Sequence, residues 1–398
     1  MERVQLCVIT GQALANLIPL LQERPDHVVL VRTADKHDAA EAFARTLLEG
    51  GFTADQIHIE PQPLPPNSFE AILEYALELR ESLNKRFPDV KFTWNATGGT
   101  KQMALAIWEA LDRKRDRVIY TDTRAGKLEE LIPHPGSTEL RSLLTPTLYL
   151  HALGKIRRHA ASDNAEWREA ALRRRSATLH LGDHARDLIS LFQQFNRIDN
   201  AQVAPQWLSF DRTHPKWRKA LTLLENGGVL DLADDGRYAV ACTDGARYLT
   251  GGWLEEYVWH VARAQDVDHV EVGLKFGDLA LRKKGEDNEI DAFIMHCNRL
   301  LLVECKAARM GTDTARDSTI VYKLDSIGTH AGGAQATRLL VSAQPLDHET
   351  RSGHKVNTRA RATASDIHTL ESDELKTLGG LIQAWKECGV WAGSPRRP

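Results

Sequence analysis

The chain reads as an α/β protein in which two α/β units flank a helical connector, and three observations predict this. Short β-branched runs alternate with amphipathic stretches over the first 140 residues. The pattern turns helical and basic from about 145 to 250. After Gly251-Gly252 a helix leads into apolar runs that end in charged residues, and strand and helix alternate again. Regular βαβα alternation predicts a doubly wound, mainly parallel sheet for the first unit. The expected boundaries are therefore 1–145, 146–250 and 251–398.

In the first unit, VQLCVIT, HVVLVRT, IHIEPQP, VKFTWNA and RVIYTDT read as strands. The stretches between them carry apolar residues at i, i+3, i+4 and i+7, and Gly50-Gly51 closes the second helix as a C-cap. The connector opens with KIRRHAASDNAEWREAALRRRSATLHLGDHARDLISLFQQF, read as helical throughout. Its Arg173-Arg174-Arg175 run is expected to be a solvated helix face. A helix ending at Gly227-Gly228 and a hairpin around Asp234-Asp235-Gly236 give the connector a small winged-helix-like look. In the third unit WLEEYVWHVAR is a helix, and HVEVGL, NEIDAFIM and LLLVECKA are strands. The Pro/Arg-rich end, SPRRP, reads as disordered.

Composition narrows the functional classes. A chain of 398 residues with 51 basic and 54 acidic side chains carries a formal net charge of −3. Any contact with nucleic acid must then be local. The five cysteines form no CxxC pair, which argues against a disulfide framework or a zinc site and for a reducing cytoplasm. The apolar run at the start is too short for a signal peptide or a membrane span, and no later segment is long enough either.

The most chemically loaded stretch is Asn288-Glu289-Ile290-Asp291, followed thirteen residues after Asp291 by Glu304-Cys305-Lys306. A two-residue turn at Cys297-Asn298 sets His296 opposite Arg299, Asp291 opposite Glu304 and Glu289 opposite Lys306. Phe293, Met295, Leu300 and Leu302 on one face, and Ile290, Ile294, Leu301 and Val303 on the other, predict strands buried on both sides. Charge at one end of such a sheet is costly unless paired, and a divalent cation is the natural partner. Two hard carboxylates, with the Cys305 carbonyl as an extra ligand, suit Mg²⁺ or Mn²⁺ together with the oxygens of a phosphodiester. Lys306 would orient and help deprotonate an attacking water or neutralise the charge at phosphorus. The plainer alternative is a Glu/Lys ion pair at a strand end.

These residues resemble the PD-(D/E)xK nuclease superfamily, with Asp291, Glu304 and Lys306 as its motif. The resemblance implies catalysis by these three residues and a metal site of Asp291, Glu304, Cys305 and a glutamate on the preceding helix. Within GGWLEEYV, Glu255 fits that slot best and Glu256 is the substitute. The run Tyr322-Lys323-Leu324-Asp325 with Gly332-Gly333 resembles further elements of these nucleases, with Lys323 toward substrate phosphate.

In the first unit, VKFTWNA runs into Thr97-Gly98-Gly99-Thr100-Lys101-Gln102-Met103 and a helix. Glycines that admit close approach, a helix start, two hydroxyls and a lysine favour a phosphate. The spacing is neither that of a P-loop nor that of a dinucleotide fingerprint. NATGGTKQMA resembles the signature of CARF (CRISPR-associated Rossmann fold) sensor domains. The resemblance implies a Rossmann-like homodimer binding a cyclic oligoadenylate, cyclic tetra-adenylate foremost. Ligand contacts are implied for Thr10, Gly11 and Gln12, for Arg32 and Thr33, for Asn95 and Thr97 to Gln102 (Thr97, Gly98, Gly99, Thr100, Lys101, Gln102), and at Thr121 and Asp122.

The two resemblances together imply a cytoplasmic nuclease of type III CRISPR antiviral defence, activated by a cyclic oligoadenylate and cutting DNA or RNA. A rival reading is a ligand-responsive transcription regulator whose connector reads DNA and whose third unit is a degenerate nuclease. A stand-alone restriction-like endonuclease would leave the first domain without a purpose.

Overall fold

The computed structural model describes residues 2–88, 90–199, 206–210, 214–279, 287–308, 314–332, 336–349 and 355–392. Gly333 and the SPRRP end lie outside the described residues. The chain forms two units: Met1–Arg157 with Gly277–Asp287 and Cys297–Arg299, and the remainder.

The first unit runs β1 (Arg3–Ile9), α1 (Ala13–Glu23), β2 (His27–Arg32), α2 (His37–Glu49), β3 (Ile57–Ile59), α3 (Phe69–Arg86), β4 (Lys91–Asn95), α4 (Lys101–Ala110), β5 (Arg117–Asp122), β6 (Lys127–Ile132), β7 (Gly136–Glu139) and α5 (Pro146–Ala152). Its sheet has the order β3-β2-β1-β4-β5-β6-β7. The first five strands are parallel, as the alternation predicts, and β6 and β7 add antiparallel at one edge. Those two edge strands are not legible in the sequence, because β7 is wholly exposed and β6 is only partly buried. β1 is buried from Val4 to Ile9, as a central strand covered by helices on both faces must be. Gly50 caps α2, and Gly51 follows with φ of 87°. Since β1 pairs with β2 on one side and β4 on the other, the order reverses between β1 and β4. Ligands bind at that kind of switch point, outside the carboxyl ends of the strands.

The second unit begins within β8 (Lys155–His159) and continues with α6 (Ala165–Arg173), α7 (Arg175–Asp183), α8 (Ile189–Phe195), β9 (Gln206–Leu208), α9 (Arg218–Asn226), β10 (Leu230–Leu232), β11 (Tyr238–Val240) and α10 (Thr243–Arg247). It is completed by α11 (Trp253–Ala264), β12 (His269–Asp278), β13 (Asn288–His296), β14 (Arg299–Lys306), α12 (Thr314–Ala331), β15 (Thr337–Ser342), β16 (Asp347–Glu349), β17 (Lys355–Asn357), α13 (Thr358–Ala364), β18 (His368–Leu370) and α14 (Leu378–Cys388). KIRRH is therefore a strand and not the start of a helix: β8 forms an edge of the six-stranded sheet β18-β15-β14-β13-β12-β8. Backbone pairing overrides the helical propensity of its basic residues. Helix α9 followed by the β10–β11 hairpin matches the winged-helix-like expectation, with β9 as third strand.

One apolar core runs through the second unit. Phe192, Leu221 and Leu224 of the connector share it with Trp253, Tyr257 and Trp259 of α11, Val303 of β14 and Trp385 of α14. Residues 158–250 thus belong to the same unit as the C-terminal sheet.

Candidate functional site

Strand β13 ends at His296 and β14 begins at Arg299, so the hairpin turn has two residues. Both have positive φ, 48° for Cys297 and 62° for Asn298, the twist that a type I′ turn supplies. Ile290, Phe293, Ile294, Met295, Leu300, Leu301, Leu302 and Val303 are all buried. The charged side chains lie at the far end from the turn.

Asp291 Oδ2 accepts a hydrogen bond from the Cys305 amide at 2.7 Å, which places its carboxylate against β14 beside Glu304. Glu304 is 2% exposed. Lys306 donates from Nζ to Glu304 Oε1 at 2.7 Å and lies 3.8 Å from Asp291 Oδ2. Lys323, from α12, comes within 3.6 Å of Glu304 Oε2. Glu255 faces the same cluster from α11. Burial, then the charges of Asp291, Glu289 and Glu304, push its carboxyl up to about 8. Burial and Glu304 push Asp291 up to about 6, against the pull of Lys306, the Cys305 amide and Lys323. Lys306 is desolvated, yet Glu304 and Asp291 hold its pKa above the usual lysine value.

Glu256 does not join this cluster. It is 1% exposed on another face of α11, where Arg174 Nε meets its two carboxylate oxygens at 2.9 and 2.8 Å. Of the two glutamates, Glu255 is the one that feels the charges of this cluster. The same contact corrects the reading of the arginine run: Arg173 and Arg175 are exposed, but Arg174 is buried. Its guanidinium also reaches Asp244 at 2.6 Å and lies 4.4 Å from the centre of the Tyr248 ring. A buried arginine needs such partners, and here they come from positions 70 and 82 residues away, beyond any local pattern.

In the first unit the loop after β4 is organised by Asn95. Its side-chain amide is buried and donates to the Ala15 carbonyl at 2.9 Å and to Asn16 Oδ1 at 3.0 Å. Its oxygen accepts from Thr97 N and Oγ1 at 3.1 and 2.6 Å. Asn16 in turn donates to the Val8 carbonyl at 2.9 Å, and Thr97 Oγ1 accepts from the Thr121 amide at 2.7 Å. Asn95 and Thr97 therefore tie together the ends of β1, β4 and β5, and their polar atoms are engaged within the unit. Asn16 carries no signal in the sequence, since a polar residue inside an apolar helix reads as surface. Gly98 passes so close to β1 that a Cβ there would meet the Val8 carbonyl oxygen at 2.5 Å. Gly99 has φ of 95°, and Thr100 caps α4 by accepting from the Met103 amide at 3.3 Å.

Gly11, Gln12, Gly99, Thr100, Lys101 and Gln102 are exposed at this rim, and Thr10 bonds the Gln12 amide. Thr33 gives its hydroxyl to Asp35 at 2.5 Å, and Asp122 accepts from the Ala125 amide at 2.8 Å. Arg32 donates to the Pro61 carbonyl at 3.3 Å, while its buried Nε and the buried hydroxyl of Thr121 have no hydrogen-bond partner among the described residues.

The chain thus combines a doubly wound unit that has a glycine loop at its switch point with a mixed sheet that bears clustered carboxylates and a lysine. Residues 4–149 of the chain match the family described as the Card1 CARF domain, and residues 242–388 the family described as the Card1-like endonuclease domain. Among solved structures it is similar to protein VC1899 from Vibrio cholerae, with a TM-score of 0.80 and 19% identity over 98% of this chain and 99% of that one. It is also similar to Can2 from Sulfobacillus thermosulfidooxidans, solved in complex with cyclic tetra-adenylate, with a TM-score of 0.73 and 20% identity over 97% and 99%. A type III CRISPR defence DNA nuclease activated by cyclic oligoadenylate gives a TM-score of 0.51 and 17% identity, over 86% of this chain and 45% of that one. No curated protein matches the chain. Among the described residues, no helix is long and apolar enough to cross a membrane.

Proposed function

We propose that the protein is a metal-dependent nuclease of type III CRISPR defence, switched on when its CARF domain binds a cyclic oligoadenylate, cyclic tetra-adenylate foremost. The observation that carries the reading is the crowding of Glu255, Asp291 and Glu304 around Lys306 inside an endonuclease-family domain. Three carboxylates share one end of an apolar sheet, and burial and mutual repulsion hold two of them above their ordinary pKa values. Hard oxygen donors in excess of the nearby positive charge fit Mg²⁺ or Mn²⁺, which Glu255, Asp291, Glu304 and the Cys305 carbonyl would hold. When bound, the cation supplies electrophilic stabilisation of the charge that builds at phosphorus.

The chain's own residues do the rest. Asp291 is oriented by the Cys305 amide, and Glu304 by Lys306. In the metal-free site Glu304 and Asp291 keep Lys306 as an ammonium, placed to steer the attacking water and to stabilise the charge at the pentavalent phosphorus. Lys323 contributes a second positive charge on the substrate side of Glu304. In the CARF domain the Asn95 network shapes the loops, and the exposed rim of Gly11, Gln12, Thr100, Lys101 and Gln102 meets the ligand. A ring with internal symmetry suits an isologous homodimer, and its binding would shift the population of dimer arrangements toward the cutting form.

The test is cleavage of labelled RNA, single-stranded DNA and duplex DNA in Mn²⁺, with and without a panel of cyclic oligoadenylates, using Glu304→Ala as blank. Equal cutting with and without activator removes the sensor role. Cutting by the blank removes the site. Retained duplex binding by a wild type that never cleaves would favour the transcription-regulator reading.

A further inference from the structure

Helix α11 packs against β13 and carries Glu255, which feels the charges of Asp291 and Glu304, while Trp253, Leu254, Tyr257, Val258, Trp259 and Ala262 of the same helix are buried in the unit. The helix is amphipathic, with Arg263 and Ala264 exposed, so apolar burial decides which side turns inward and directional polar contacts refine the rotation within that side. One residue of rotation, about 100°, would carry Glu255 out of the cluster. Three such contacts reach α6, α7 and the residue between them. Arg174, at the junction of α6 and α7, meets both carboxylate oxygens of Glu256. One turn on, His260 Nε2 lies 3.0 Å from the Ala171 carbonyl. Between them Tyr257 donates to Asp183 at 3.1 Å, and its ring lies so close that a Cβ on Gly182 would sit 2.1 Å from it.

Arg174 is the strongest of these. A buried ion pair contributes little net stability over an apolar pair of similar volume, but a planar guanidinium gripping a carboxylate with two nitrogens fixes orientation as no apolar contact can. Arg174 is itself fixed on every side: its backbone carbonyl accepts from Thr178 Oγ1 at 3.1 Å, Asp244 takes Nη1, and Tyr248 covers the guanidinium.

We propose that Arg174 is a positioning residue of the nuclease: by gripping Glu256 it sets the rotation of α11 and so holds Glu255 at the carboxylate cluster. The inference rests on the nuclease reading above. It makes α6 and α7 part of the catalytic apparatus rather than a spacer between domains.

The test uses the full chain with activator present and compares wild type with Arg174→Lys and the double variant Arg174→Met/Glu256→Leu, which replaces the pair by apolar side chains. Three quantities are read: the thermal midpoint, the Mn²⁺ concentration for half-maximal cleavage, and Mn²⁺ binding by calorimetry. The double variant is expected to melt within a few degrees of wild type yet to need about tenfold more Mn²⁺ in both cleavage and calorimetry, the loss of roughly 1.4 kcal/mol of ligand positioning. Arg174→Lys, which keeps the charge without the fork, is expected to fall between. A folded double variant with the wild-type Mn²⁺ requirement overturns the proposal. So does a double variant that melts far lower while its folded fraction binds Mn²⁺ as wild type does, for that is a purely structural role. Failure of the nuclease reading looks different: wild type itself would show no metal-dependent cleavage, or Glu304→Ala would cleave as well as wild type.

Discussion

At the scale of residues, the nuclease cluster stands out for stored repulsion. Glu304 is buried beside Asp291, and Glu255 is held near 8. Replacing Glu304 by alanine removes a cation ligand and the partner of Lys306 together, so cleavage is expected to fall by about a thousandfold or more. The thermal midpoint should hold, because a repelled charge leaves with it. The pH dependence follows from the sign of the shifts. Carboxyls held near 6 and 8 keep protons that a cation must displace, so Mn²⁺ affinity should rise steadily from pH 6 to pH 8, which calorimetry would read. For stability the direction reverses. In metal-free protein the folded state holds the Glu255 proton above the pH at which the unfolded chain loses it. Stability from this group is therefore present below about pH 4.5 and lost as pH rises through about 8. Glu255→Gln should then melt higher than metal-free wild type at pH 8, with the gap closing as pH falls. Asp291, Glu304 and Lys306 were legible because their spacing and apolar flanks fix the strand register. Arg174 was misread because a run of three arginines looks solvated, and only the distant Glu256 and Asp244 make its middle member buried.

At the scale of elements, the loop between β4 and α4 shows how much local chemistry a sequence can carry. Gly98, Gly99 and Thr100 each occupy the position that their chemistry demands: close approach, positive φ and helix cap. Gly98→Ala drives a methyl group into the Val8 carbonyl, costing about 1–3 kcal/mol and displacing the loop. The expected result is a lower thermal midpoint and about tenfold weaker binding of cyclic tetra-adenylate. Asn95→Ala should cost about 2 kcal/mol or more, since it orphans buried partners on α1 and at Thr97. That second effect could not be read from the chain, because Asn16 and Asn95 are 79 residues apart and nothing local marks them as partners. Strand β8 was lost to the same cause: KIRRH has a helical composition, and only the sheet edge beside β12 makes it a strand.

At the scale of the whole molecule, two alternating patterns around a helical break were legible, the families match 4–149 and 242–388, and the break from residue 158 onward folds into the C-terminal unit, which only packing reveals. The proposed control by a symmetric ring makes a stoichiometric prediction. Calorimetry should find one cyclic tetra-adenylate for every two chains, and light scattering should find a dimer; one ligand per chain on a monomer would rule out the isologous site. Basal cleavage without the ring is expected to be at least tenfold lower, a coupling free energy within the usual 1–3 kcal/mol.

The hydrogen that Gly182 carries in place of a side chain has a consequence for modularity. Because Tyr257 occupies that space, the nuclease helix and the connector have been shaped as a matched pair. A graft that transplants the endonuclease alone onto another sensor, cutting at the glycines before Trp253, would leave the aromatic face of α11 without its counterpart and should yield insoluble protein. A graft taken from Lys155 onward carries both halves of the fit and keeps β8 at the edge of the sheet. The exchangeable part in this architecture is thus the nuclease together with its connector and β8, and the natural seam lies upstream of β8.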